Sequence, residues 1–167
     1  LYTVHNHCPG VACCPNGDLL AVWYTTVEEW GREHAIAASR LRQGRAVWDA
    51  ADLFWDVPDR NDHTSTIWSD DQGRLYHFNG MAVEGGWHDL ALLMRESRDN
   101  GVTWTQPRII APQHGFGNMP ISSTFRRGDG AICLPCDAVP GANGGSILHI
   151  SKDEGKTWLL PSRGKRL

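Results

Sequence analysis

A segment that recurs about every 56 residues limits this chain more than any other feature, because a repeat of that length sets the architecture before any single residue does. The run Ser97-Arg98-Asp99-Asn100-Gly101-Val102-Thr103-Trp104 returns as Ser151-Lys152-Asp153-Glu154-Gly155-Lys156-Thr157-Trp158. Both read S-x-D-x-G-x-T-W, with their serines 54 residues apart. A worn third copy starts at Ser39 and keeps Gly44 and Trp48, without the Asp and with two extra residues before the Trp. A second landmark shares the period. Gly17, Gly73 and Gly130, spaced by 56 and 57 residues, each sit in a polar turn that leads into an apolar run. His7 and His63 each stand ten residues before their glycine. Two unrelated landmarks on one period make the repeat real.

Within a period the apolar runs are short, rich in Val, Ile, Leu and Trp, and bounded by Gly, Asp, Asn or Pro, which is the pattern of strands in a meander. The first repeat reads as strand A at about 9–14, B at 18–25, C at 34–40 and D at 46–55. Four short strands per repeat make a propeller blade. The expected fold is therefore all-β, a single partial propeller over 1–167 with four-stranded blades at about 1–58, 59–113 and 114–167. In S-x-D-x-G-x-x-W the Asp accepts bonds from turn N–H groups, the Gly takes a positive φ, and the Trp packs between blades with its N–H satisfied. Asp99 and Asp153 occupy equivalent points of different blades, so they read as repeated staples rather than as a catalytic pair.

Composition narrows the function. A net charge of −3 speaks against a nucleic-acid footprint. No apolar run is long enough to span a bilayer as a helix, and no charged and apolar leader is visible. Five cysteines, an odd number, do not suit a disulfide framework. Cys133-x-x-Cys136 lacks a second knuckle and lies in a strand-like run, so buried thiols are expected, with no metal and no cofactor. The compartment stays unassigned.

S-x-D-x-G-x-x-W resembles the Asp-box, or bacterial neuraminidase repeat, of sialidases and related propellers. The opening His7-Cys8-Pro9 and Pro15-Asn16-Gly17-Asp18 through Ser39-Arg40, with Asn118-Met119-Pro120 and Leu134-Pro135-Cys136-Asp137, looks like the sialidase-like family of predicted neuraminidases. The resemblance implies a six-bladed propeller, of which three blades are half. Such an arc exposes strand edges. The chain is then a fragment of a longer protein or, as the minority reading, one of two copies that complete a ring.

Meander topology sorts the polar groups. A–B and C–D turns share one end of the blades, which assigns the boxes (Ser97, Asp99, Gly101, Trp104; Ser151, Asp153, Gly155, Trp158) and Arg126 and Arg127 to a structural end. The opposite end collects His5, Asn6, His7, Arg60, Asp62, His63, His114 and Asn118 ahead of the A strands. Its B–C loops add Glu28, Glu29, Arg32, Glu33, Glu84, His88, Asp89, Asp137 and Asn143. Histidines, carboxylates and arginines converging there suit a charged sugar as partner.

The resemblance implies three arginines on the substrate carboxylate, an Asp as acid/base and a Tyr nucleophile beside a Glu. This chain departs from that set. His7-Cys8-Pro9 stands where the first Arg precedes an Ile-Pro, and the Tyr, Glu and last Arg are expected in blades beyond this chain, so the 167 residues alone are expected to be inactive. The reading is a sialidase-like glycoside hydrolase. Glu29, His63 and Asp62 are its catalytic candidates, with Glu29 as acid/base; His5, His7, Arg32, Arg60, His88, Asn118 and Asp137 are its substrate contacts. Two alternatives stay open: a propeller lyase acting on uronates, and a non-catalytic carbohydrate binder using Trp30 and Trp87.

Overall fold

The computed structural model describes residues 3–112, 118–121, 123–137 and 146–159. His114, Asn143 and the basic run 163–166 lie outside the described residues. Among the described residues there is no helix.

Three four-stranded antiparallel sheets follow one another along the chain. The first runs β1 (His5–Cys13), β2 (Leu19–Thr26), β3 (Ala35–Leu41), β4 (Asp52–Trp55), in that spatial order. The second repeats it with β5 (Asp62–Ser69), β6 (Leu75–Ala82), β7 (Leu90–Ser97) and β8 (Arg108–Ala111). In the third, β9 (Met119–Pro120) and β10 (Phe125–Arg126) both pair with β11 (Ile132–Asp137), which pairs with β12 (Ile147–Ser151). Its outer position is marked by an Ile150–Leu159 bridge. Among the described residues these are three blades of a sialidase-type β-propeller, and they do not close on one another.

The repeat is visible in backbone angles. Gly17, Gly73 and Gly130 turn strand A into strand B with φ of 85°, 83° and 86°. Both outer ladders slip at equivalent points, between Ile36 and Ala37 and between Leu92 and Leu93. The first inner strand starts earlier than the expected 9–14, because pairing with β2 continues past a bulge to His5 and Thr26. Cys8 takes a φ of 50° at that bulge, next to Pro9, which has no N–H to give the ladder. The first outer strand is shorter than the expected 46–55; residues 46–51 lie outside the ladder.

Burial follows from blade order. The middle sheet has a neighbour on each face, so β6 and β7 are buried almost end to end, whereas β1 is largely exposed. Period 2 sends Leu75 to the core shared with Leu20, Val22, Tyr24 and Ile36, and sends Tyr76 and Phe78 to the one shared with Ile132 and Leu134. Cys133 and Cys136 are buried free thiols. Three residues apart on one strand, they face opposite sides of the sheet.

The two intact boxes have one geometry. Ser97 Oγ and Thr103 N donate to Asp99 Oδ1 at 2.8 and 2.9 Å, and Ser151 Oγ and Thr157 N donate to Asp153 Oδ1 at 2.9 and 2.8 Å. Trp104 Nε1 donates to Gly101 O and Trp158 Nε1 to Gly155 O. Trp104 packs on Phe54 of the first blade and Trp158 on Phe78 of the second, so each box staples its blade to the one before. The worn copy is held differently. Gln43 N donates to Asp18 Oδ1 at 2.8 Å, so an Asp of the A–B turn serves where the box has none.

Candidate functional site

The end opposite the boxes gathers one compact cluster. His5 and His7 are two apart on β1 and therefore share a face. Tyr24, on β2, lies directly opposite His7 in the register. Glu29 comes from the loop between β2 and β3, whose carbonyls at Glu29 and Gly31 each accept from Asn61 Nδ2 at 2.8 Å. The Tyr24 hydroxyl sits at the centre. It donates to Glu29 Oε1 at 2.8 Å and lies 3.0 Å from His7 Nδ1 and 3.3 Å from His5 Nε2. One O–H and two lone pairs satisfy this arrangement when both imidazoles donate. Both histidines approach the Glu29 carboxylate to 3.8 Å. The His7 side chain is 60% exposed and that of Glu29 36%, so the cluster opens to solvent.

Behind it the ring of Tyr24 is fully buried, packed edge-on against His34 at 4.3 Å and stacked on His63 at 5.3 Å. Burial, followed by the adjacent Glu29 charge, raises the Tyr24 phenol above its usual range, which keeps its proton in place to hold Glu29. Burial also holds His34 at about 3 and His63 at about 4, so both are neutral at pH 7. His63 stacks in turn on Trp87 at 5.0 Å, and Trp30, 52% exposed, lies 5.3 Å from Trp87 and 4.6 Å from His88. The result is an aromatic ledge beside the cluster.

The remaining expected residues, Asp62 among the catalytic candidates and the others among the contacts, do not join this cluster. Asp62 is fully buried and accepts from Val57 N at 2.6 Å and Trp55 Nε1 at 3.2 Å, so it fastens the first blade to the second instead of facing the rim. Asn118 is buried, with its amide on Leu90 O at 2.9 Å. Arg32 pairs with Asp59 at 3.3 Å and reaches Glu84 O, while Arg60 donates to Val83 O at 2.7 Å; both brace neighbouring loops at the rim. Glu33 and Asp89 close their B–C loops on the N–H groups of Glu28 and Glu84. Asp137 is exposed at the end of β11 opposite Met119. Arg126 pairs with Glu154 at 2.9 Å and Arg127 with Asp129, at the box end.

Sequence reasoning passed over Tyr24, His34 and Asn61. The signal for Tyr24 was its position 56 residues before Gly80: a ring where the next blade has no side chain. A concavity of about 490 Å³ along the inner strands, past Gly10, Val11, Thr66 and Ile67, has neither carboxylate nor histidine in its lining.

The BNR repeat-like domain family matches residues 17–162. No curated protein matches the chain in sequence. Among solved structures, a Hadza microbial sialidase superposes with a TM-score of 0.77 at 16% identity, over 93% of this chain and 37% of its own. A leech intramolecular trans-sialidase gives 0.74 at 9%, over 98% and 44%. The Trypanosoma rangeli sialidase gives 0.69 at 15%, over 95% and 31%. This chain thus spans less than half the length of each, and at these identities the likeness is one of fold.

Proposed function

Because the chain belongs to the BNR repeat-like domain family, we propose that its cluster end is part of a sialidase-like glycoside hydrolase site for terminal acidic sugars of glycans. The observation that carries this reading is the 2.8 Å bond from Tyr24 to Glu29, which fixes a half-exposed carboxyl group at the open end of the blades. Glu29 serves as general acid/base: protonated, it gives its proton to the leaving glycosidic oxygen as positive charge grows on the sugar ring. His5 and His7 contact the acidic sugar, and Arg32 and Arg60 on the rim loops and His88 on the aromatic ledge border the approach. Tyr24 is too buried to attack the sugar and acts as the prop for Glu29. The fold neighbours support the substrate class: two are named sialidases, and the leech enzyme is complexed with 2,7-anhydro-Neu5Ac. On this reading the three blades, at about 1–58, 59–113 and 114–167, form one partial domain, and the ring is completed by further blades or a second copy of the chain.

The test is turnover of a fluorogenic sialoside by the assembly that closes the ring, with Glu29→Gln in the same background. A fall of roughly 10²–10⁴-fold with unchanged circular dichroism is expected. Unchanged turnover removes Glu29 from the mechanism. The exposed Trp30 and its tilted ring contacts with Trp87 and His88 favour a second reading, a carbohydrate-binding propeller. Glycan binding lost in Trp30→Ala without any turnover would select it, whereas new double-bond absorbance on a uronate polymer would select a lyase.

A further inference from the structure

The three donors around the Tyr24 hydroxyl have a geometry that hydrolysis does not require. His5 Nε2, His7 Nδ1 and a Glu29 carboxylate oxygen all lie within 4.8 Å of one another, with each histidine 3.8 Å from Glu29. Four-coordinate Zn²⁺ binds His nitrogen at about 2.0–2.1 Å and carboxylate oxygen at about 2.0–2.2 Å, which sets tetrahedral donors about 3.3 Å apart. Each His–Glu29 separation closes by about half an ångström and the widest of the three by up to about 1.5 Å, through side-chain rotations that are open to all three groups, none of which is locked in the core. The backbone already aims them. His5 and His7 share a face of β1, and the Glu29 loop is pinned by Asn61. Two imidazoles and one carboxylate form a donor set that zinc centres with an open position use.

An ion would compete with the hydrogen bonds to Tyr24. Tyr24 has one proton, and Glu29 takes it, so neither imidazole receives a bond from the hydroxyl. A cation would draw one lone pair from each of the three groups, displacing the two imidazole contacts to the hydroxyl while Tyr24 keeps its bond to Glu29.

We infer that His5, His7 and Glu29 form a binding site for a divalent transition-metal ion of the Zn²⁺ type, open to solvent on its outer side. The site shares its three residues with the hydrolytic reading: a bound ion occupies Glu29, so metal binding and acid/base work by this residue exclude each other.

The experiment is titration of the full chain with Zn²⁺ against a chromophoric chelator, repeated with Co²⁺ for its absorption spectrum. One ion per chain is expected, with visible d–d bands and no thiolate charge-transfer band. Affinity falls at least about 10-fold in His5→Ala and in His7→Gln, with unchanged thermal melting of the metal-free protein. Tyr24→Phe, which keeps all three ligands, and Cys13→Ser retain the ion. Absence of stoichiometric binding, equal affinity in the double variant His5→Ala/His7→Gln, or a thiolate band lost with Cys13 each overturns the inference. None of these readouts uses turnover, so the assignment survives or fails independently of glycoside hydrolysis.

Discussion

Asp62 is a carboxyl group sealed from water with two N–H donors, and burial raises it from 3.8 to about 7 against the opposing pull of the Val57 N–H. The folded state therefore keeps a proton that the unfolded chain releases near pH 4. The sign is fixed: the contribution of Asp62 to stability is fully present below about pH 4 and is lost as pH rises through 7. The shift corresponds to a change on the order of 4 kcal/mol across that window. Asp62→Asn, which cannot ionise, removes this slope. Urea midpoints of the two proteins, compared from pH 4 to 8, are expected to shift in the variant's favour as pH rises, and parallel curves would refute the assignment. Tyr24→Phe tests the other residue-scale claim. The ring stays packed between His34 and His63 while the prop of Glu29 is lost. We expect turnover to fall roughly 10-fold with a stability change within about 1.5 kcal/mol, the net worth of an ordinary hydrogen bond.

At the scale of the element, two glycines with almost the same backbone angle separate local strain from packing. Gly44 has a φ of 76° with nothing within 4 Å of a would-be Cβ; Gly101 has a φ of 77°, with Leu20 at 2.9 Å and Leu75 at 3.2 Å. Gly44→Ala carries only the left-handed backbone penalty, about 1–2 kcal/mol. Gly101→Ala adds a clash across two blades and is expected to cost clearly more in denaturant unfolding; equal costs would mean that the boxes do not set blade spacing. The box carboxylates give a pH signature opposite to that of Asp62. Hydrogen bonds from Thr103 and Thr157 hold Asp99 and Asp153 at about 2, so their contribution is present above about pH 4 and lost as pH falls through 2. Asp99→Asn is expected to flatten the melting temperature between pH 4 and 2.

For the whole molecule, stability lies in the contacts between blades, because each blade alone is one sheet with an apolar face to cover. Trp104 joins the first pair beside Phe54 and His77, with the Arg95 guanidinium 4.4 Å over Trp55 and 5.2 Å over Trp104. Trp158 joins the second pair, reinforced by Glu154 bridging Arg74 and Arg126. Trp104→Ala is expected to destabilise by less than the about 3–5 kcal/mol of a fully buried aromatic, because Trp104 is half-buried, and to loosen the first two blades together. Hydrogen exchange that stayed unchanged in β1–β3 would show that the staple does not couple them. Trp48, whose blade has no predecessor among the described residues, is 42% exposed, and its truncation should cost far less.

What the sequence determined by itself was everything that repeats. Strand count, turn glycines, the role of Asp99 and Asp153, and the separation of the box end from the His-rich end all follow from period and meander topology, since local backbone chemistry acts identically in each copy. What only the tertiary structure decided was everything that differs between copies. Asp62 and His63 are neighbours on one strand, yet the carboxylate bonds back to Trp55 while the imidazole stacks beneath Tyr24. Asn118, polar and near the rim in sequence, is buried because Gly80 lets its backbone approach to within 2.9 Å of a would-be Cβ. Tyr24, at the end of an apolar run, became the centre of the site. Neighbours from other strands and blades set these outcomes, and no spacing along the chain encodes which side chains will meet across a gap of a few ångströms.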